Sequence, residues 1–321
     1  MDDDAPGGGG GPLPVGMGIA DLDETRLARI LQLLEVDAAD REATRRWRDR
    51  LTGDDRARIG VLASRLRDGI GDWLGVWDRR VFDGGEELDN RLGHGVLPLF
   101  ALLLTAPDVH ATHLRRGIDP ALSWHTLSDL GQQMRVCRRV HGVASLATGG
   151  WLANAWSDGF AWLGRLQFEL TRSPDGEVVY GVHIPDTGPL RAADVDAAFA
   201  WAVRFFADHY PEVHPPPRYF ECDSWLLDPQ LSRIVPGSNM AHFQQRWDIV
   251  ESVESDRSGL FFGFGIEPPS PGVTADPRFL DTLPTGSRLH RGLVELWRSG
   301  GHVMSCRGRI PVDRSIRGAD Q

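Results

Sequence analysis

The chain has 321 residues, a net charge of −10, 41% hydrophobic and 25% charged residues, which is the composition of a globular protein. That charge argues against a general nucleic-acid binder, which needs a basic face to neutralise phosphates, and the longest apolar run, 96–106, is too short to span a bilayer. All 35 basic residues are arginine, so Schiff-base chemistry, a pyridoxal phosphate anchor and a P-loop lysine are all absent.

The chain opens on "MDDDAPGGGGGPLPVGMG". Its glycines cannot build a core, so residues 1–18 are expected to be a disordered tail. From Asp21 the pattern turns helical: Leu27, Ile30, Leu31 and Leu34 follow helical spacing, with acids in the first turn. "RARIGVLASRLRDGIGDWLG", "GVLPLFALLLTA" and "PALSWHTLSDLGQQMRVCRRVHG" extend this, so 19–150 is expected to be a helical domain. "TGGWLAN" (148–154) then interrupts the pattern.

Beyond it the character changes. "GRLQFEL" and "VVYGVHI" read as strands joined by the turn "SPDGE". The helical stripe of "ADVDAAFAWAVRFFADHY" follows, then the strand "RYFECD". Helices are expected from Asp228 to about Val250, then a strand "GLFFGFGI", a helix "SRLHRGLVELWRSGG" and a last strand "HVMSCRGRI". The whole reads as α+β: a helical domain, then a mixed sheet covered by helices over 151–312, with a tail at 313–321.

Chemistry concentrates in three places. Period two puts Tyr219, Glu221 and Asp223 on one strand face; two carboxylates so spaced are candidates for a general base, or else a solvated strand end with a turn-forming Asp. His183 ends a strand, and Gly181 beside it would let a ligand or another backbone approach; the alternative is a buried imidazole satisfied by its neighbours. The loop "PDTGPL" opens a helix whose free N–H groups could hold an anion. Ser238 or Asn239 reads as a helix cap that could also touch ligand. "HATH" and "HYPEVH" supply no closed ligand set, so no metal is expected. Cys222 lies on the core face of its strand and reads as packing. The odd, sparse cysteines Cys137, Cys222 and Cys306, with no secretory signal, fit reduced thiols in a cytoplasm.

The ordered segments "LGRLQFEL", "HIPDTGPL", "FFADHYPE", "CDSWLLDPQL", "GSNMAHFQQRW" and "LPTGSRLHRGLVELWRSGG", with "LSDL…VCRRVHG" in the helical half, resemble bacterial two-domain acyltransferase-like proteins. Those proteins join a helical N-terminal domain to a GNAT-like C-terminal domain. The resemblance implies acyl transfer from an acyl-CoA to a small-molecule amine, beside the readings of charge, run length and ligand spacing that leave out nucleic acid, membrane and metal. It implies a CoA pyrophosphate loop at Pro185, Asp186, Thr187, Gly188, Leu190 and Arg191, with Asn239 opening a helix along the pantetheine. The strand carrying Glu221 and Asp223 would then supply the base, with His183 as the other candidate. The loop departs from the usual R/Q-x-x-G-x-G/A pattern: it has Gly188 alone, and Pro189 removes a donor N–H. No tyrosine sits in the Asn239 helix to protonate a leaving thiolate. That departure leaves open a second reading, a GNAT-derived module that binds or regulates without catalysing.

Overall fold

A computed structural model describes residues 13–73, 82 and 91–316. The first half is a stack of helices: α1 Glu24–Leu33, α2 Ala38–Asp49, α3 Gly53–Gly69, α4 Val96–Arg115, α5 Pro120–Leu127, α6 Asp129–His141 and α7 Gly149–Trp156. Their starts follow capping chemistry. Asp23 accepts from Arg26 N, Thr52 and Asp55 form a reciprocal capping box, and Asp119 caps α5 ahead of Pro120. Helix α4 is apolar almost all round because it runs through the centre of the stack, with Leu97, Phe100, Leu103 and Leu104 fully buried.

The expected tail is shorter than its composition suggests. Met17 is buried, Gly16 N donates to Asp108 Oδ1 at 2.8 Å, and the Met17 carbonyl accepts from Arg67 at 2.7 Å. Residues 1–12, 74–81, 83–90 and 317–321, with the end of the second predicted helix, lie outside the described residues. "TGGWLAN" does not interrupt the helices; it forms most of α7, whose Leu152, Ala153 and Trp156 are buried. At the other end Val312–Ile316 forms a short helix where a tail was expected.

The second half is a six-stranded mixed sheet in the order β1-β2-β3-β4-β6-β5. The strands are β1 Phe160–Leu163, β2 Leu166–Arg172, β3 Val178–His183, β4 Tyr219–Ser224, β5 Asp248–Glu254 and β6 Met304–Pro311. All neighbours are antiparallel except β3 and β4, which are parallel. The α-helix α8, Ala192–His209, supplies that crossover. It lays Phe199 and Phe206 on one sheet face: Phe199 meets Phe220 at 4.6 Å between ring centroids, and Phe206 stacks on Tyr180 at 5.3 Å. The opposite face over β4 and β6 is ionic, which the alternation of "RYFECD" and "SCRGRI" dictates.

Three expectations fail here for physical reasons. The stretch expected to be helical to about Val250 ends inside β5, which is otherwise unforeseen; it is an edge strand with Val250 and Val253 exposed, so no buried stripe marks its period. "GLFFGFGI" was read as strand, yet Gly259–Phe264 is a helical turn of π type; a short apolar run does not distinguish a buried strand from a buried helix. β1 was not foreseen, because its four residues are all buried and show no alternation.

The halves are pinned together at Asp158, a buried residue at φ 85°. Arg116 Nε donates to its carboxylate at 2.6 Å, Tyr210 donates to its carbonyl, and the Arg116 guanidinium lies 4.2 Å over the Tyr210 ring. Among the described residues no helix is long and apolar enough to cross a membrane.

Candidate functional site

β3 and β4 pair at only two positions, Tyr180 with Phe220 and Gly181 with Glu221. Beyond them β4 stays with β6 as far as Ser224, and β3 stays with β2 as far as His183, so the sheet parts. A cavity of 810 Å³ fills the opening. One lip is Val182, His183 and Ile184; the other is Cys222, Asp223 and Ser224. Helix α6 and Trp151 close one side with Gln132, Gln133, Val136 and Arg139, and the π-type turn adds Phe261 and Phe262. The helical half is therefore a wall of the site.

Among the three residues expected to do chemistry, the geometry separates one from the others. His183 lines the cavity and is about a quarter exposed. Its Nε2 lies 3.1 Å from Glu169 Oε1, within hydrogen-bond distance of a carboxylate that can accept a ring N–H. The Trp151 indole packs edge-on at 4.4 Å and Phe160 stacks at 6.1 Å, which fixes the ring. Trp151 is held in turn: its Nε1 donates to Asp129 Oδ2 at 2.8 Å. Asp129 is fully buried, and burial pushes its carboxyl above the usual range against the pull of the surrounding amide and indole donors.

Gly181 does not serve the approach of a ligand or a backbone, as its place in the strand suggested. It makes room for Glu169, whose side chain crosses the position where a Cβ would stand.

Glu221 is not among the residues lining the cavity. Its Oε2 accepts from Arg309 Nε at 2.6 Å and from Arg307 Nη1 at 3.4 Å, within an ionic row that includes Asp175 and Glu251. Asp223 does line the cavity, from the lip opposite His183, and accepts from the Ser305 hydroxyl at 2.9 Å. Glu221 and Asp223 share a strand face as expected, but only Asp223 reaches the opening.

The segment 185–191 leaves β3 and enters α8. Pro185, Asp186, Gly188, Pro189 and Leu190 line the cavity; Thr187 and Arg191 are exposed and do not. Gly188 sits at φ +108°, where an L side chain is strained. Arg165, from the β1–β2 turn, was not singled out from the sequence. It donates to the carbonyls of Pro185 at 3.0 Å, Gly188 at 2.6 Å and Pro189 at 3.1 Å. Arg139 crosses from α6 to pair with Asp186. On the cap question, Ser238 Oγ accepts from Ala241 N at 3.1 Å, and the exposed Asn239 lines the cavity from the first position of α9, Asn239–Gln244.

Cys222 lines the cavity but is buried, and burial drives its thiol far above the ordinary range, with Asp223 and Glu221 adding to the shift. Among the described residues no cluster of three metal-ligating side chains occurs.

The chain matches the model of the N-acyltransferase N-terminal domain over residues 25–157 and that of the GNAT-like C-terminal domain over 160–310. No curated protein sequence matches it. Among solved structures, an acyltransferase in complex with decanoyl-CoA is 28% identical with a TM-score of 0.77, the match covering 94% of this chain and 90% of that one. An acyltransferase in complex with CoA and 10C-teicoplanin is 26% identical with a TM-score of 0.75, covering 89% and 87%. A third, an acyltransferase in complex with decanoyl-CoA and teicoplanin, is 27% identical with a TM-score of 0.72, covering 94% and 89%. With both halves of the fold matched in order, the chain belongs to the family of two-domain N-acyltransferases, a helical N-terminal domain joined to a GNAT-like C-terminal domain.

Proposed function

We propose that the enzyme moves an acyl group from an acyl-CoA thioester to the amine of a small-molecule acceptor, with the thioester in the parting between β3 and β4. The observation that carries this reading is the single parallel pair, joined at two positions and opening beside His183. An extended pantetheine arm fits between two strand edges that no longer bond to each other. The relatives' complexes with decanoyl-CoA and teicoplanin support a fatty acyl donor and a large acceptor.

The roles follow from the contacts. The acceptor nitrogen attacks the thioester carbonyl carbon and the C–S bond breaks, releasing CoA as thiolate. His183 Nδ1 takes the proton the amine loses, and Glu169 orients the ring and stabilises its cationic form. Asp223, on the facing lip, attracts the acceptor as ammonium; His183 takes the proton that frees the lone pair for attack, and the second N–H proton, lost as the C–S bond breaks, goes to the departing CoA thiolate. Glu221, spent on Arg309 and Arg307, serves the sheet. Of the bases the sequence offers, the β4 carboxylates and His183, this reading takes His183. Pro185–Leu190 and Asn239 border the donor, the loop at its pyrophosphate and Asn239 along the pantetheine.

The test is acceptor-dependent release of CoA thiol from a panel of acyl-CoAs, with mass spectrometry of the product. Binding alone should raise Tm: a ligand at about 100 times Kd stabilises by about 2.7 kcal/mol. Absence of both turnover and a thermal shift across short, medium and long acyl-CoAs would remove the proposal.

A further inference from the structure

We infer that Arg165 is the residue that builds and charges the phosphate end of the donor site, in place of the glycine-rich loop this chain lacks. The inference rests on the reading of residues 185–191 as the CoA pyrophosphate loop.

Three observations carry it. First, the loop is poor in the usual means of holding an anion: Gly188 is its one glycine, and Pro185 and Pro189 have no N–H to offer. Second, Arg165 grips this loop by three successive backbone contacts, to the carbonyls of Pro185, Gly188 and Pro189. Its planar fork holds three oxygens in one geometry, which a lysine could not do. Turning these carbonyls toward Arg165 removes their partial negative charge from the face a phosphate would meet. Third, the charges around the loop nearly cancel. Asp186 is matched by Arg139 and Asp194 by Arg191, whereas Arg165 meets only neutral carbonyls and pairs with no carboxylate among the described residues. Arg165 lines the cavity beside the loop, and three of its five N–H donors are committed, which leaves two for a phosphate oxygen. Burial lowers its affinity for its proton against the attraction of Asp186 and Asp194, and a guanidinium stays charged regardless.

The reading predicts that Arg165 matters for the phosphates of the donor and not for its thioester. The experiment compares the full-length protein with Arg165→Gln and Arg165→Lys, using an acyl-CoA and the matching acyl-pantetheine, which carries the same thioester without the pyrophosphate. Arg165→Gln is expected to raise KM for the acyl-CoA about tenfold, leave KM for the acyl-pantetheine within about twofold, and flatten the dependence of the acyl-CoA KM on salt. Arg165→Lys is expected to restore part of the salt dependence without restoring KM, since it keeps the charge and loses the fork. Equal loss for both donors, or no loss for either, overturns the role of Arg165. A wild-type enzyme that turns over acyl-pantetheine as efficiently as acyl-CoA overturns the pyrophosphate loop itself, and the role of Arg165 with it.

Discussion

Glu169 reaches His183 only because position 181 is glycine: a Cβ there would stand 2.8 Å from Glu169 Cγ and 3.2 Å from its Oε1. The neighbouring strand thus delivers a carboxylate to the imidazole diagonally across the register that pairs Glu169 with Gly181 and Gln167 with His183. Gly181→Ala should push Glu169 aside. We expect about a tenfold fall in kcat, with an overpacking cost of about 1–3 kcal/mol in stability. Full kcat in a variant with lowered Tm would show that the Glu169 contact does not serve the chemistry.

The two candidate bases are separable. His183→Ala should lower kcat/KM by about 10²–10⁴, the usual worth of a general base. Glu221→Gln should leave the rate near that of the wild type and cost stability instead, because it removes the charged partner of Arg309 and Arg307. The opposite pattern, with the rate lost in Glu221→Gln and kept in His183→Ala, would return the base to β4.

Cys222 borders the cavity proposed for the thioester, yet carries a thiol whose pKa burial drives far up. Transfer should therefore pass directly from donor to acceptor, with no acyl-cysteine. Cys222→Ala should keep most of its activity, and intact-mass spectra of the wild type with acyl-CoA in the absence of acceptor should show no acyl adduct. An adduct lost in Cys222→Ala would establish a covalent route.

Asp256 ties down the π-type turn that borders the cavity. Its carboxylate accepts from Trp297 Nε1 at 2.7 Å, Val303 N at 2.8 Å and Thr274 Oγ1 at 2.7 Å, and meets His302 Nδ1 at 2.9 Å. Burial acts to raise the Asp256 pKa, and these donors outweigh it, so the net shift is downward. The stability it contributes is present above the unfolded value near 3.8 and is lost as pH falls through the depressed folded value. The His302 pKa is raised, first by its hydrogen bond to Asp256. Its contribution is complete below 6.5 and fades as pH rises through the folded value. Tm should therefore fall at the alkaline side of neutrality less in His302→Gln than in the wild type. Asp256→Asn should speed hydrogen exchange across Gly259–Phe264. Identical pH–Tm profiles for His302→Gln and the wild type would contradict the linkage.

Much of this architecture was legible because its signals are local. The Leu27, Ile30 and Leu31 spacing gives α1, and "SPDGE" gives the β2–β3 turn, closed by Ser173 N donating to the Glu177 carbonyl at 2.9 Å. The cavity was partly legible for the same reason: His183, Asp223 and Asn239 end or begin elements, where side chains meet clefts. Glu169 was not, because its role needs the register of two strands. The one available sign was a charged residue among the apolar positions of "LQFEL". Arg165 and Trp151 were missed because each acts on a segment remote in sequence, and nothing in an isolated arginine or tryptophan marks the partner it will find.

One wall of the cavity comes from α6 and Trp151 and the others from the sheet and its short helices, so the two halves of the chain share one chamber. Val136 faces that chamber from α6 outside the Gln132–Asp129–Trp151 chain of hydrogen bonds that leads to the His183 ring, so a substitution there changes the shape of the cavity and spares the His183–Glu169 pair. New acceptors or chain lengths can therefore be sought on a helix while the register of β2 and β3 is left as it is. For an engineer it names the place to build a library.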